Sequence, residues 1–547
     1  MIMSVFSQIL TFVGSLCLLL FGMNMLSNGI QKGAGSGLQK LLATITRNRF
    51  KAVLTGLGIT AIIQSSGATT VMVISFVNAE ILTLQQAIGV IFGANIGTTV
   101  TAWIVSIFGF SFSIAQAAIP LFGFGFILKL FKRFKIHNFA DSFMGFALLF
   151  MGLGLLKESL DLGDGTKQIF QAISTFGIWG ILLGVLIGAF LTALIHSSSA
   201  MTAIVLTMAA NQSISWQLSA AIVLGSNIGS TVDAVMSSIN ASTNAKRTAF
   251  VHVAFNLAGT LLALIFFKPF LQLIDFIVPG LPAENITTHI SMLHTVFNLC
   301  ATLIFIPFVK QIALLTEKII KNTKEETELH YKLPAILPHS RISADLYSYQ
   351  IQTEISKMAA KVMDMFDSIN AILNNQKFAE QESEKIQNLE NYIDEMNYEI
   401  TNFLQKCARL PNANSADRKR FAQMIRITEN MENLSDECCS MSHTLVKYVE
   451  NKNSKENRKK ELSDYIESVR IFFEQTSLSF TLGLNAEERK RGAKIEEQID
   501  ETKKELKKDS RKRLENGGDV KQELQFIDLV KKIERAGDCV YSIVQAL

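Results

Sequence analysis

The stretch "QSSGATTVMVISFVNAEILTLQQAIGVIFGANIGTTVTA", Gln64 to Ala102, returns without a gap as "HSSSAMTAIVLTMAANQSISWQLSAAIVLGSNIGSTVDA", His196 to Ala234. Ser65 falls on Ser197, Gly93 on Gly225, Asn95 on Asn227, Gly97 on Gly229 and Thr99 on Thr231. The approaches "GLGITAIIQ" and "GAFLTALIH" match too. An internal repeat of this length marks a duplicated architecture. Its opening is unusual for its setting, because Gln64, Ser65, Ser66, Thr69 and Thr70 crowd an amide and four hydroxyls into an apolar run.

That setting is a membrane domain. The chain has 547 residues and 49% hydrophobic content, high for a wholly soluble protein. Apolar stretches of spanning length recur from residue 4 to about 309, whereas Lys, Glu, Asp, Asn and Gln crowd the chain from 310 onward. We therefore expect a transmembrane domain over 1–309, a linker over 310–339 and a cytosolic helical domain over 340–547. The first apolar stretch lacks a basic flank and a small-residue cleavage site, so it reads as a permanent helix rather than a signal peptide. The six cysteines have no zinc-like spacing, and a disulfide framework is not expected in a cytosolic domain. A net charge of +4 gives no reason to expect nucleic-acid binding.

Basic residues fix the orientation, since Lys and Arg flanking helices favour the cytoplasm. They cluster at 32–51, at 129–135, at Lys246 and Arg247, and from Lys310; all four clusters are placed inside, and the loops at 158–180 and 279–285 outside. Residues 52–80 then form a helical hairpin entering from inside, and 82–109 and 113–131 form a pair of crossings. After 140–157 crosses outward, the matching hairpin at 181–212 enters from outside and 217–238 returns. The expected fold class is all-α: a polytopic membrane protein with inverted repeats, about 4–135 and 140–309, and re-entrant helical hairpins, followed by a soluble helical bundle. Paired broken hairpins near mid-membrane are where secondary transporters place substrate and ions.

Non-helical backbone survives at membrane depth only when buried in protein or lining a wet cavity. Helix N-termini opening at such tips suit an anion, hydroxyl and amide oxygens suit a hard cation, and Gly67, Gly93, Gly97, Gly225 and Gly229 permit close backbone approach. Small polar residues also serve as packing in membrane helices, but two such tips at equivalent positions favour a binding site. Asp233 replaces Thr101 of the first repeat; it could ligate a cation, take up a proton, or sit hydrated near the cytoplasmic end. His196 beside Ser197, Ser198 and Ser199 invites a hydrolase reading, which we set aside because adjacent residues rarely meet in attack geometry and no acid orienting His196 is evident in the sequence. No catalytic residue is assigned.

The second part reads as long amphipathic helices, as in "YQIQTEISKMAAKVMDMFDSINAIL". Four Glu-x-x-x-Asp pairs stand out: Glu390 with Asp394, Glu432 with Asp436, Glu496 with Asp500, and Glu534 with Asp538. Each pair shares a helix face, where like charges repel by about 0.2–0.5 kcal/mol, so a metal or a basic partner would make sense of them. Such pairs also arise by chance; Glu395 with Glu399 is a decoy. "ENMENLSDECCSM" and "KKIERAGDCVYSI" occupy matching places, as expected for duplicated three-helix units.

The repeated "QSSGATT" with "GANIGTT" and "HSSSAMT" with "GSNIGST" resemble the Q-S-S-S and G-x-N-I-G-T motifs of the type II sodium/phosphate cotransporters. The resemblance implies sodium-coupled phosphate symport by alternating access. It also implies that Gln64, Ser65, Ser66, Ser197, Ser198 and Ser199 help bind phosphate and sodium, with Asn95, Thr98, Thr99, Asn227, Ser230 and Thr231 as further candidates. Gly67, His196 and Asp233 depart from the pattern and place selectivity and ion stoichiometry in question. The acidic pairs, with "ARLPNANSADRKRFAQMIRITENMENLSDECC", resemble the PhoU family of metal-binding three-helix bundles, implying divalent or iron ions there and a role in phosphate regulation. The partners expected are inorganic phosphate, sodium ions, membrane lipid, a second copy in a homodimer and phosphate-signalling proteins.

Overall fold

A computed structural model describes residues 2–34, 48–78, 82–111, 114–131, 139–159, 176–239, 241–321, 331–333, 336, 344–410, 413–450, 456–480 and 483–547. Among these the regular structure is helical throughout. The chain divides into two compact units, residues 1–323 with 334–345, and 324–333 with 346–547.

The first unit contains α1 (Ile2–Ala34), α2 (Arg49–Ile63), α3 (Ser66–Asn78), α4 (Leu84–Ser111), α5 (Ile114–Leu130), α6 (Ala140–Ser159), α7 (Ile178–Ile195), α8 (Ser198–Ala210), α9 (Trp216–Gly229), α10 (Val232–Ser237), α11 (Thr243–Ile265), α12 (Phe267–Ile277), α13 (Ile286–Phe305) and α14 (Val309–Ile319). Seven described segments are long and apolar enough to cross a membrane, so this is a multi-pass membrane unit. α3 and α8 have 13 residues each. At 1.5 Å per residue they fall short of a hydrocarbon core of about 30 Å.

The repeat extends to backbone contacts. Gly56 on α2 packs under the Val90 carbonyl of α4, and Gly188 on α7 packs under that of Ile222 on α9; Gly93 likewise meets Val53, and Gly225 meets Val185. A Cβ at any of these glycines would fall on a carbonyl oxygen, so only glycine allows the helices to approach this closely. One expected crossing is present, as the apolar segment Trp216–Ser237, with an interruption. The 217–238 crossing breaks at Ser230 and Thr231, whose hydroxyls bond back to the carbonyls of Asn227 and Ile228 at 2.7 Å, in competition with the helical ladder.

Contacts flanking the two hairpins fall at opposite ends of α13. Arg49, opening the first hairpin, donates to the carbonyls of Ile306 and Pro307 just beyond the end of α13, at 3.2 and 3.0 Å. Trp216, just past the second hairpin, packs edge-on against His289 at the start of α13, ring centroids 5.8 Å apart.

The second unit is built from α15 (Ala344–Asn374), α16 (Ala379–Ala408), α17 (Ser415–Val449), α18 (Glu456–Ser477), α19 (Ala486–Glu515) and α20 (Val520–Ala546). Apolar residues at three- and four-residue spacing, such as Met424, Ile427, Met431, Leu434, Cys438, Met441 and Leu445 on α17, are buried along one stripe. α15 contributes to both halves, through Tyr347 against Phe403 and Phe366 against Phe473. The decoy acid Glu395 has a structural task, accepting from the backbone N–H of Tyr331 at 2.8 Å.

Candidate functional site

Each hairpin turns at a residue in the left-handed conformation, Gln64 (φ 57°) and His196 (φ 55°), at equivalent positions of the repeat. The next serine caps the following helix: Ser65 Oγ accepts from the Ala68 N–H at 3.2 Å, and Ser197 Oγ from the Ala200 N–H at 3.1 Å. The two helix N-termini meet at a cavity of about 10 Å³ lined by Ser65, Ser66, Gly67, His196, Ser197, Ser198, Ser199, Ser230 and Asp233. That is the room of about one water molecule.

Across this cavity the tips are tied to the crossing helices by matching contacts. Thr101 donates to Gln64 Oε1 at 2.7 Å. At the equivalent place, His196 Nδ1 meets Asp233 Oδ1 at 2.6 Å. Ser199 then reaches Thr101 at 3.4 Å. Its counterpart is Gly67, where a Cβ would lie 2.5 Å from Asp233 Oδ2. Gly67, His196 and Asp233, three separate departures in the sequence, are therefore one constellation: an imidazole and a carboxylate replace an amide and a hydroxyl, and the missing side chain at 67 makes room for the acid. The His196 and Asp233 side chains are 24% and 16% exposed, so the pair is partly screened.

The remaining candidates are buried but do not line the cavity. Thr69 Oγ1 donates to the Ser65 carbonyl at 3.0 Å, bracing the first tip, and the Thr70 hydroxyl is buried without a hydrogen-bond partner among the described residues. Thr98 and Thr99 bond back to carbonyls of their own helix, and Thr231 to a carbonyl of the preceding one. Asn95 and Asn227 point instead to residues that sequence reasoning missed. His252 Nε2 lies 3.4 Å from Asn95 Oδ1 and Asn95 donates to Asn256, while His294 Nε2 lies 3.3 Å from Asn227 Oδ1. Asn256 and Asn298 in turn donate to the carbonyls of His252 and His294. The signal was present as a second short repeat, "HVAFN" at 252–256 and "HTVFN" at 294–298.

In the soluble unit the acidic pairs assemble into two tetrads. Oxygens of Glu390, Asp394 and Asp436 lie within 4.8 Å of one another. Burial first, then repulsion from Asp436, Asp394 and Glu390, pushes the Glu432 carboxyl up to about 7; burial and the Asp394 charge also raise Asp436. This oxygen-only set fits a hard or borderline divalent cation. The second tetrad differs. Lys503 Nζ pairs with Glu534 and lies 3.7 Å from Asp500. Burial and the Glu534 charge push Asp538 up to about 6, against the opposing pull of Lys503.

The Na+/Pi-cotransporter family profile matches residues 18–158 and 163–277, and the PhoU domain profile matches 355–445. The chain is similar to "Uncharacterized protein YqeW" of Bacillus subtilis, 32% identical over 51% of this chain and 88% of that one. It is also similar to "Putative inorganic phosphate export protein YjbB" of Escherichia coli K12, 26% identical over 78% of this chain and 76% of that one. "Sodium-dependent phosphate transport protein 2B" of Homo sapiens is 30% identical over 18% of this chain and 15% of its own length. No solved structure matches. On these matches the chain belongs to the Na+/Pi-cotransporter family.

Proposed function

We propose that the chain is a sodium-coupled inorganic phosphate carrier working by alternating access, with the soluble unit as a cytosolic regulator. The observation that carries this reading is the convergence of two serine-capped helix N-termini on one cavity with no lysine or arginine among the described residues of its lining. Free N–H groups and the positive ends of two helices suit a tetrahedral oxyanion. A phosphate dianion there still has net negative charge to offset, made larger by Asp233, and co-bound sodium ions supply it. The cavity is small, so phosphate enters when the tips part; closure and parting are the two states of the cycle.

Inverted re-entrant hairpins are supported by the contacts that flank them at opposite ends of α13. A cytoplasmic end bearing Arg49 and Arg247 is supported by their hydrogen bonds to Ile306, Pro307 and Ile320, which put three basic clusters together. Export rather than uptake is a second reading, favoured by the name of the Escherichia coli relative; direction would follow the gradients.

The test is radiolabelled phosphate accumulation in proteoliposomes under an inward sodium gradient or an equal potassium gradient. Accumulation is expected with sodium alone and is expected to fall about fivefold or more in Gln64→Ala, which loses a 2.7 Å bond to Thr101 and a buried amide, an effect of about 1–3 kcal/mol. Binding of phosphate without accumulation under either gradient would point to a membrane-anchored sensor.

The first tetrad is proposed to hold a divalent or iron ion, with Glu390, Asp394, Glu432 and Asp436 as ligands. Because Glu432 keeps its proton up to about pH 7 and a ligand must lose it, manganese(II) affinity is expected to fall as pH drops from 7 to 5. The fall approaches about tenfold per pH unit for each proton displaced. Isothermal titration of the full chain at several pH values measures this, and a flat profile would remove Glu432 from the ligand set.

A further inference from the structure

We propose that the soluble unit has one metal site rather than two, because the ammonium of Lys503 stands in the second tetrad as a built-in cation. The inference rests on the metal reading of the first tetrad and deepens it.

The two tetrads are equivalent in sequence and in helix placement. Glu390 and Asp394 lie on α16 and face Glu432 and Asp436 on α17; Glu496 and Asp500 lie on α19 and face Glu534 and Asp538 on α20. Three residues after the aspartate of each leading pair, one helical turn on and on the same face, the halves differ: Asn397 follows Asp394, and Lys503 follows Asp500. Asn397 is neutral and occupied locally, its Oδ1 accepting from Thr401 at 3.4 Å. Lys503 instead reaches across to Glu534 on α20 while staying near Asp500 on its own helix.

A lysine ammonium is a compact point charge with three donors, and it does here what a metal ion does, joining carboxylates from two helices. A dication entering the second tetrad would have to displace Lys503 and then sit beside it. Lys507 and Lys531 add positive charge nearby. The charges acting most strongly on Glu390, Glu432 and Asp436 are, by contrast, all carboxylates. Three ligand oxygens close enough to share an ion occur, among the described residues, in the first tetrad alone. The second half is thereby held together without metal, and metal supply acts on the first half only.

The experiment counts ions. The purified full chain, stripped with chelator and saturated with manganese(II), is desalted and its metal measured against protein. One ion per chain is expected, lost in Asp394→Asn and unchanged in Asp538→Asn, with a second ion gained in Lys503→Met. Two ions in the native chain would overturn the role of Lys503 while leaving the metal reading intact. None in either the native chain or Lys503→Met would overturn the metal reading and this inference with it. Should Lys503→Met fail to fold, the native count and the Asp538→Asn result decide: a loss of metal in Asp538→Asn overturns the proposal.

Discussion

Gly67→Ser, which gives the first tip the residue its counterpart carries as Ser199, is expected to reduce sodium-driven phosphate accumulation by about fivefold or more. The added Cβ would lie 2.5 Å from the Asp233 carboxylate, and Asp233 is held by His196 at 2.6 Å. Overpacking of this kind costs about 1–3 kcal/mol, and about 1.4 kcal/mol is a factor of ten. Adding Asp233→Thr and His196→Gln equips the second crossing helix and tip as the first are equipped, with Thr101 and Gln64. The triple variant is expected to recover most of what the single one loses, since residues in contact couple by about 0.5–3 kcal/mol. Native uptake in Gly67→Ser alone would mean that the carboxylate moves freely, and would separate the three residues again.

Glu523→Ala is expected to produce the largest loss of stability in the soluble unit. Glu523 is fully buried. It accepts from Ser510 at 2.6 Å and from Arg513 Nε at 3.1 Å, and pairs with Arg458 at 3.1 Å. Arg458 also donates to Gln522 at 2.8 Å, and Arg513 stacks 4.8 Å from the Phe526 ring centroid. Removing the acid leaves two guanidinium groups without their buried partner, a loss of about 3–5 kcal/mol. For a unit of this size each kcal/mol lowers the midpoint by about 2–4 °C. The rate at which buried Cys438 becomes reactive to a thiol reagent on heating measures the loss. Replacing Glu523, Arg458 and Arg513 together by apolar residues of similar size should restore much of it; a single variant as stable as the native chain would show the network to be dispensable.

Most helices were legible because their causes are local. The 13-residue lengths of α3 and α8 follow from where the polar tips interrupt apolar runs, and the stripe on α17 follows from heptad-like spacing. Gly93 and Gly225, equivalent in the repeat, both pack on backbone carbonyls. What the sequence left hidden depends on distant partners. Gly67, His196 and Asp233 stand in the sequence as three separate departures, and only the fold, which brings residues 67 and 233 into contact, shows that they answer one another. Lys503 was overlooked for the same reason: on its own helix it is a surface lysine, and its role comes from reaching Glu534 on another. The break at Ser230 and Thr231 was missed because the corresponding threonines of the first repeat leave their helix unbroken.

The left-handed backbone at Gln64 and His196 has a consequence for how the carrier can be improved. A side chain in that conformation costs roughly 1–2 kcal/mol that glycine would not incur, yet Gln64 holds Thr101 and His196 holds Asp233 through the atoms that glycine lacks. At these two positions backbone ease and side-chain grip are opposed. Glycine at both would relieve the strain but forfeit contacts of similar worth, leaving hairpin tips that no longer grip the helices they face.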